Sequence, residues 1–449
     1  MNLIIDLIKY MIILLIGIYT YYSFYVFRCK KKKQQSKTYA ILAIVMFFLH
    51  FTGYFTLFMQ SQNMQLLYLY AGEVVLFILV LILYQLIYPK LSRLLLQNML
   101  MLLAIGFIIQ ARLSVDKTIR QVVIVGGALL VCLILPWVIH KLDLLRNYGW
   151  FYGGGGIIIL LLVLIIGTTS NGATNWINIA GISVQPSEFV KLLFVLSLAS
   201  LFRKEMNFKY VCLVTSMAAV TVIILVLQKD LGGALIFFVT YLFLLYAATE
   251  RPLYLFSGLL GGSLAAVVAY RLFAHVRVRV LAWTDPFHYI DKEGYQITQS
   301  LFAIGTGGWF GMGLNRGLPT DIPVVNSDFI FSAITEELGG LFSLCIIMIY
   351  ASCFVMFFNI ALSLEDLFYR YIAIGFSVMF GFQVFLSIGG VIKFIPSTGV
   401  TLPLISTGGS SLLSTIIMFM MLQGVYITGK TRGRASEGAT DPSVINEHR

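Results

Sequence analysis

The sequence predicts an all-α polytopic membrane protein, and three observations carry that prediction. Apolar residues make up 59% of the 449 residues, whereas charged residues make up only 11%, far below the roughly 25% found in soluble domains. The mean hydropathy is +0.90. About thirteen apolar runs approach the ~20 residues that a helix needs to cross a bilayer. Together these features exclude an ordinary soluble domain.

We expect one transmembrane helix at each apolar run. In chain order the runs are 3–27, 39–59, 66–88, 94–110, 119–139, 155–170, 188–202, 210–227, 231–248, 253–270, 330–358, 371–392 and 407–428. No basic segment precedes the first run and no small-residue cleavage site follows it, so we expect an uncleaved anchor.

Basic residues predict the orientation of these helices. Six of them lie in 28–37, directly after the first run, which places the N-terminus outside the cell. Alternation then puts seven segments inside, which together hold eighteen of the 31 basic residues, not counting Arg449 at the end of the tail: 28–37, 89–93, 140–148, 203–209, 249–252, 359–370 and the tail from Lys430. The net charge of +11 is therefore mainly a topology signal, and we expect no nucleic-acid partner.

Polar, glycine and proline residues are concentrated in connections on the opposite side. These are 171–187, 228–230, 271–329 and 393–406. Loops carry function more often than the scaffold that holds them, so we expect the functional face to be extracytoplasmic. No internal repeat is evident, which disfavours an inverted-repeat transporter.

The segment 171–191 combines helix-breaking residues with an ion-pair spacing. Gly172, Gly181 and Pro186 do not permit a continuous helix, although Pro186 suits the first turn of the next one. Glu188 and Lys191 are three residues apart, so they can pair on one helical face. Two interpretations stay open: a local salt bridge at a helix start, or ionisable groups that serve function.

Two aspartates precede apolar helices. Asp230 in QKDLGGAL and Asp328 in NSDFIFSAITEELG can each cap a helix N-terminus, which alone would explain them. Glu336 and Glu337 lie about two turns further on, beyond the reach of a cap. Carboxylates that face one cavity would suit acid–base chemistry or a divalent cation.

The long segment 271–329 holds candidate anion-binding groups. Arg277 and Arg279 would share a face if the backbone is extended, and a pyrophosphate would suit their guanidinium groups. The glycine-rich stretch 305–313 lets backbone amides approach an anion or a polar chain. Gln299 and Ser300 are either binding residues or mere surface.

The segment 395–413, IPSTGVTLPLISTGGSSLL, opens the last helix. Its proline and glycine residues suit a turn or a re-entrant segment. Gly408 and Gly409, beside Ser410 and Ser411, would allow close helix packing.

Six segments resemble the successive motifs of one family, in that family's order. They are GATNWINIAGISVQPSE, QKDLGGA, RVRVLAWTDP, GYQITQSLFAIGTGGWFGMGL, SDFIFSAITEELG and TGVTLPLISTGGSSLL. On these motifs the chain is similar to the SEDS family of shape, elongation, division and sporulation proteins. The resemblance covers roughly residues 91–430.

This resemblance implies a ten-helix core at 91–430 that polymerises lipid II into β-1,4-linked glycan strands. The reaction would invert the anomeric carbon, on the outer face of the bacterial cytoplasmic membrane, with a class B penicillin-binding protein as the transpeptidase partner. Residues 1–90, with about three helices, would be an N-terminal extension, and 431–449 a cytoplasmic tail. A role in elongation, division or sporulation stays open.

The resemblance also implies roles for individual residues. Asp328 would be the catalytic carboxylate, acting as a general base. Other motif residues would bind the substrate: Asp230, Glu188, Lys191, Trp176, Arg277, Arg279, Gln299, Ser300, Ser406, Gly408 and Gly409. A divalent cation, Mg²⁺ or Mn²⁺, is the one cofactor considered, and no ligands are assigned to it.

Some positions depart from the family's pattern. Asn175 stands where an arginine is common, Lys229 replaces a proline, Asn326-Ser327 replaces the commoner threonine, and Thr407 replaces a tyrosine. None of these changes removes a carboxylate, so activity is expected.

Two other functions are considered. A transporter would be a lipid II flippase, or a carrier that uses Asp230 and Lys191 as a relay. It needs coupling groups reachable from both sides of the membrane, whereas the candidate residues gather on one side. A non-catalytic scaffold of the cell-wall synthesis complex would not need intact carboxylates.

Overall fold

The chain folds into a helical bundle with one small sheet. The structure, a computed structural model, describes residues 2–141, 146–170, 173–179 and 182–439. Within these ranges, twelve helical segments are long and apolar enough to cross a membrane, so the protein is a multi-pass, all-α membrane protein as predicted. Gly172, Gly181 and residues 440–449 of the expected tail lie outside the described residues.

Three long helices precede the region that resembles the SEDS motifs. They are α1 (Asn2–Tyr25), α2 (Lys32–Ser61) and α3 (Met64–Ile87). Each coincides with one of the first three apolar runs, because the length of a run is a property of the local sequence.

The remaining helices follow in chain order. They are α4 (Arg93–Leu113), α5 (Val115–Val131), α6 (Leu135–Lys141), α7 (Gly149–Ile166), α8 (Ser187–Leu201), α9 (Phe208–Leu227), α10 (Leu231–Thr249), α11 (Pro252–Leu272), α12 (Ala274–Thr284), α13 (Tyr295–Gly307), α14 (Ile330–Leu362), α15 (Leu367–Val391) and α16 (Gly409–Ala439). A short 3₁₀ turn joins α5 to α6, and the two helices form one span.

Burial differs sharply among these helices. In α4 every residue from Leu94 to Ala111 is buried, including Gln97, Asn98 and Gln110. In α11 no residue is buried. The helix α8 has 15 residues, which reach only about 22 Å, so the expected span at 188–202 is a short helix. The α4 helix is therefore the centre of the bundle, and α11 lies at its edge.

A three-stranded antiparallel sheet lies between α7 and α8. Its strands are β1 (Thr168–Ser170), β2 (Ala173–Ile179) and β3 (Ile182–Val184), in the order β1-β2-β3. The predicted helix at 155–170 is wrong over its last residues, since α7 ends at Ile166. Gly167 is followed by two β-branched threonines, which favour a strand.

The long helix α14 is broken at Gly339, where φ is +90° and ψ is 167°. The backbone of 308–313 inserts at this break, and a Cβ atom on Gly339 would lie 2.4 Å from the Gly311 nitrogen. Only glycine fits such a site. We call 330–338 the half-helix and 308–318 the glycine-rich loop. The expected helix at 330–358 is therefore present as Ile330–Leu362, but it is kinked at Gly339, where a neighbouring segment replaces part of its hydrogen bonding.

Candidate active site

Asp328 lies in a turn directly before the half-helix. The helix N-cap is Phe329, and no side chain caps the helix. The capping interpretation is therefore wrong for Asp328, whose half-buried carboxylate is available for other contacts.

The turn that carries Asp328 is held by the loop before α16. The Ser406 hydroxyl donates a hydrogen bond to the Ser327 carbonyl. The Thr407 hydroxyl and the Gln110 amide donate to the Asn326 carbonyl, at 2.9 Å and 3.0 Å. Since Ser406 is only 3% exposed, we interpret it as a support for the turn and not as a substrate contact.

Arg279 and Asp328 both lie beside Gly399. A Cβ atom built on Gly399 would lie 3.6 Å from Asp328 Oδ2 and 3.7 Å from Arg279 Nη2, so both groups border the same backbone position. Gly399 has a φ of +73°, which favours glycine. The guanidinium also donates to the Ser397 carbonyl at 3.2 Å, which fixes its position beside the loop.

The electrostatics of this site combine burial with mixed charge. Burial raises the pKa of Asp328, while a hydrogen bond from Ser327 and the charge of Arg279 oppose that rise. Burial lowers the pKa of Arg279, and the charges of Asp328 and Asp230 favour its charged form. Burial also lowers the pKa of His275, with Arg279 and Lys229 adding to the effect. Two cationic side chains, a histidine and two carboxylates therefore share one region.

Arg277 and Arg279 do not share a face. They belong to α12, which is helical over Ala274–Thr284. Side chains two positions apart on a helix point about 200° away from each other. Arg277 is exposed and Arg279 half-buried. The expectation of a paired guanidinium site is wrong, because the stretch is helical and not extended.

Asp230 is the N-cap of α10. Its Oδ1 accepts a hydrogen bond from Gly233 N at 2.9 Å, which confirms the capping interpretation. Its Oδ2 accepts from Asn175 Nδ2 at 3.1 Å and from Gln185 Nε2 at 3.4 Å. Asp230 therefore also ties the sheet and the start of α8 to α10.

Trp176 lies beside Asn175 on β2. Successive side chains of a strand point to opposite faces, so Trp176 points away from the contact between Asn175 and Asp230. It is half-buried, and the structure does not bring it together with Asp328.

Glu188 and Lys191 form the predicted pair, with 2.5 Å between Lys191 Nζ and Glu188 Oε2. The ammonium also donates to Gln383 Oε1 at 3.1 Å, and the Ser414 hydroxyl donates to Glu188 Oε2 at 2.8 Å. Lys191 is only 4% exposed. Its charge is thus engaged within the protein and links α8 to α15.

These contacts predict how the pair responds to substitution. Lys191→Met alone leaves Glu188 without its cation, and breaking a buried pair costs about 3–5 kcal/mol. We expect a clear fall in thermal stability of the purified protein, measured by scanning fluorimetry in detergent. The double variant Glu188→Gln with Lys191→Met should recover most of that stability. If the double variant is stable but has lost all activity, Glu188 and Lys191 bind the substrate and are not only structural.

Ser300 and Gln299, two further residues expected to bind the substrate, lie on α13. Ser300 is fully buried; its hydroxyl bonds to Ser332 at 2.6 Å and to the Val391 carbonyl at 2.9 Å, so it joins α13 to α14 and α15. Gln299 is half-buried on the same helix. We interpret Ser300 as a packing residue.

The close-packing interpretation of Gly408 and Gly409 is wrong. A Cβ atom at either position would make only ordinary contacts of 3.6 Å. The neighbouring serines connect loops instead: the Ser410 hydroxyl accepts from the Gln185 backbone nitrogen at 3.0 Å, and the Ser411 hydroxyl bonds to Thr401 at 2.9 Å.

Glu336 and Glu337 accept hydrogen bonds from backbone nitrogens of the glycine-rich loop, at Leu318 and Asn315. Glu336 Oε1 accepts from Leu318 N at 2.9 Å, and Glu337 Oε1 accepts from Arg112 Nε at 3.0 Å. In the described part of the chain, no three His, Cys, Asp or Glu side chains lie together as metal ligands. The described residues therefore do not offer a closed, protein-ligated cation site.

Three residues that contribute to this site were not predicted from the sequence. His275 lies one helical turn before Arg279, so an i, i+4 spacing would have indicated it had the stretch been taken as helical. Gly399 is one of many glycines, and nothing local distinguishes its position between two charged groups. Gln383 lies in an apolar run, where a single amide side chain is only weak evidence of a functional site.

Comparison with known proteins is informative for most of the chain. The family model FTSW_RODA_SPOVE, described as cell cycle protein, matches residues 85–430. The peptidoglycan glycosyltransferase RodA of Mycobacterium tuberculosis is 36% identical over 288 residues, which cover 61% of this chain and 59% of that protein. The stage V sporulation protein E of Bacillus subtilis is 34% identical over 270 residues, 58% of this chain and 72% of that protein. The match thus spans about three fifths of the length of the RodA relative.

Two solved structures share the fold. One belongs to a study of how a peptidoglycan synthase complex coordinates polymerization and crosslinking; its TM-score is 0.65 at 27% identity, over 75% of this chain and 97% of the other. The rod shape determining protein RodA of Thermus thermophilus gives a TM-score of 0.56 at 26% identity, over 75% and 96%. The six motifs, the helical bundle from α4 onward and these matches agree, and the chain belongs to the FtsW/RodA/SpoVE family, the SEDS family indicated by its motifs.

Proposed function

We propose that this protein is a peptidoglycan glycosyltransferase that polymerises lipid II into glycan strands. The observation that carries the proposal is the half-buried Asp328 carboxylate, which is not used as a helix cap and lies beside Gly399 together with Arg279. A carboxylate for proton transfer and a cation for a leaving anion are the two groups this reaction needs. The RodA relative carries the same activity in its name.

The proposed reaction is a single displacement with inversion. The 4-hydroxyl of the acceptor sugar attacks C1 of the donor sugar, and its proton passes to an oxygen of Asp328. The bond between C1 and the pyrophosphate oxygen breaks, and the leaving lipid pyrophosphate carries the electron pair. Arg279 stabilises that developing charge, with His275 and Lys229 nearby. No step is assigned to a divalent cation.

We further propose the organisation of the chain in the membrane. Basic residues between the helices favour an extracytoplasmic position for Asp328. The division into an extension at 1–90, a catalytic core at 91–430 and a tail at 431–449 follows the extent of the motifs. A class B penicillin-binding protein is the proposed partner, because the similar solved structure comes from a complex that couples polymerization to crosslinking.

One assay tests this function. Purified protein is incubated with labelled lipid II, alone and with the partner transpeptidase, and the products are separated by gel electrophoresis. Glycan ladders that disappear with the Asp328→Asn protein support the enzyme. Movement of lipid II across liposomes without ladders would indicate a transporter, and neither result would indicate a scaffold.

The raised pKa of Asp328 predicts the pH dependence of the reaction. A general base acts in its ionised form, so the rate is highest above the pKa of Asp328 and is lost as the pH falls through it. Since burial raises that pKa, the acidic limb should lie above the ordinary value of about 3.9. Arg279 opposes the rise, so Arg279→Gln should move the limb to higher pH and Arg279→Lys should move it less. Initial rates across a pH series measure this, and an unmoved limb in Arg279→Gln would contradict it.

A further inference from the structure

The glycine-rich loop, 308–318, is bound to the half-helix that follows Asp328. The break at Gly339 leaves backbone groups of α14 without partners inside the helix. The loop supplies them: Met312 N donates to the Glu336 carbonyl at 2.9 Å, and Gly340 N donates to the Gly308 carbonyl at 2.8 Å. The position of the half-helix, 330–338, therefore depends on where this loop lies.

Carboxylate side chains strengthen that attachment. Glu336 accepts from Leu318 N at 2.9 Å, and Glu337 accepts from Asn315 N at 3.0 Å. Hydrogen bonds to an ionised acceptor are about twice as strong as neutral ones. The loop and the half-helix thus form one hydrogen-bonded unit, and Asp328 lies at the start of that unit.

Helix α1 contacts the other side of the same loop. Asp6 forms an ion pair with Arg316, and Lys9 Nζ donates to the Gly311 carbonyl at 3.2 Å. The rings of Tyr10 and Phe310 meet edge to face, with 5.8 Å between their centroids. Three kinds of contact thus join α1 to a loop about three hundred residues away in the chain.

Helix α2 adds a second attachment. Gln60 Nε2 donates to the Leu314 carbonyl at 2.9 Å. About two turns earlier in the same helix, α2 packs directly on α4, since a Cβ atom on Gly53 would lie 2.7 Å from the Ile108 side chain. The α1 and α2 residues in these contacts lie outside residues 85–430, the segment that the family model matches.

We propose that α1 and α2 position Asp328 through the glycine-rich loop. Asp6, Lys9 and Gln60 are positioning residues: they bind the loop, the loop binds the half-helix, and the half-helix begins directly after the turn that holds Asp328. In the structure none of the three contacts Asp328 or Arg279, so their effect on the reaction is transmitted and not direct. The inference rests on the proposed polymerase function and gives the N-terminal helices a role in it.

A charge-exchange experiment in the full chain tests this proposal. Asp6→Arg and Arg316→Asp each place like charges together, whereas the double variant restores an ion pair in reverse. An exposed ion pair is worth up to about 1 kcal/mol, so each single variant should lower kcat about three- to fivefold, with KM for lipid II unchanged. The double variant should return to near the parent kcat. Asp116→Arg, at an exposed position on α5, is the matched control and should leave kcat unaltered.

A second pair of variants avoids the charge reversal. Gln60→Glu keeps the size of the side chain but removes the donor to Leu314, and should also lower kcat without changing KM. Gln62→Glu makes the same change two residues later, where the amide bonds only to the local Met59 carbonyl, and should have no effect.

Hydrogen exchange separates failure of this inference from failure of the proposed function. If the parent chain does not form glycan, the function is wrong, but amide exchange can still be measured. Positioning by α1 predicts faster exchange in 308–318 and 328–338 of Asp6→Arg, and recovery in the double variant. Unchanged exchange, or a loss of kcat that the double variant does not recover, would overturn the inference.

Discussion

Replacement of Asp328 by Asn is expected to lower the rate of lipid II polymerisation by at least a hundredfold. The amide has the same shape as the carboxylate but cannot accept the proton of the acceptor hydroxyl, and a positioned general base contributes about 10²–10⁴ in rate. Because Asp328 caps no helix, its loss should leave the fold intact. Glycan ladders from labelled lipid II and a thermal melt of the same preparation measure both effects.

Asp321 provides the matched control for this experiment. It is an exposed aspartate seven residues earlier in the same segment, so Asp321→Asn removes the same charge without removing the base. The control should polymerise lipid II at close to the parent rate. Wild-type activity in the Asp328→Asn protein would refute the assignment of the base.

Arg279→Ala is expected to have the next largest effect, a loss of about 10²–10³ in rate, the range seen when one donor to a developing anion is removed. The guanidinium lies beside Gly399, opposite Asp328, and donates to the Ser397 carbonyl. Arg279→Lys keeps the charge without the planar, two-point geometry, so it should recover part of the rate. Initial rates at saturating lipid II measure the loss.

Arg277, on the same helix, provides the control for the Arg279→Ala variant. Since Arg277 is exposed and points about 200° away from Arg279, Arg277→Ala should retain at least tenfold more activity than Arg279→Ala. Equal losses in the two variants would mean that both guanidinium groups reach the substrate, against the helical geometry of α12.

The helices could be located from the sequence because the signal is local. A run of about 20 apolar residues crosses a bilayer wherever it occurs, and the runs coincide with the long helices of the bundle. The ordered motifs also identified the family, which the comparisons confirm. The errors lie where a contact distant in the chain decides the backbone.

The segment RVRV shows the limit of the local signal. Valine alternating with arginine has the period of a strand, yet α12 is helical, and this separates Arg277 from Arg279. The break at Gly339 is a second example, since nothing in TEELGGLF indicates that the backbone of a preceding loop will insert there.

The sequence by itself determined the class of protein, the approximate helices and the family, because these depend on composition and on short motifs. Only the tertiary structure decided which polar residues meet. It set Arg279 opposite Asp328, engaged Lys191 with Glu188 and Gln383, and connected Asp6 to Arg316. The physical reason is that hydrogen bonds and ion pairs act over only a few ångströms, so their partners are chosen by how distant segments pack.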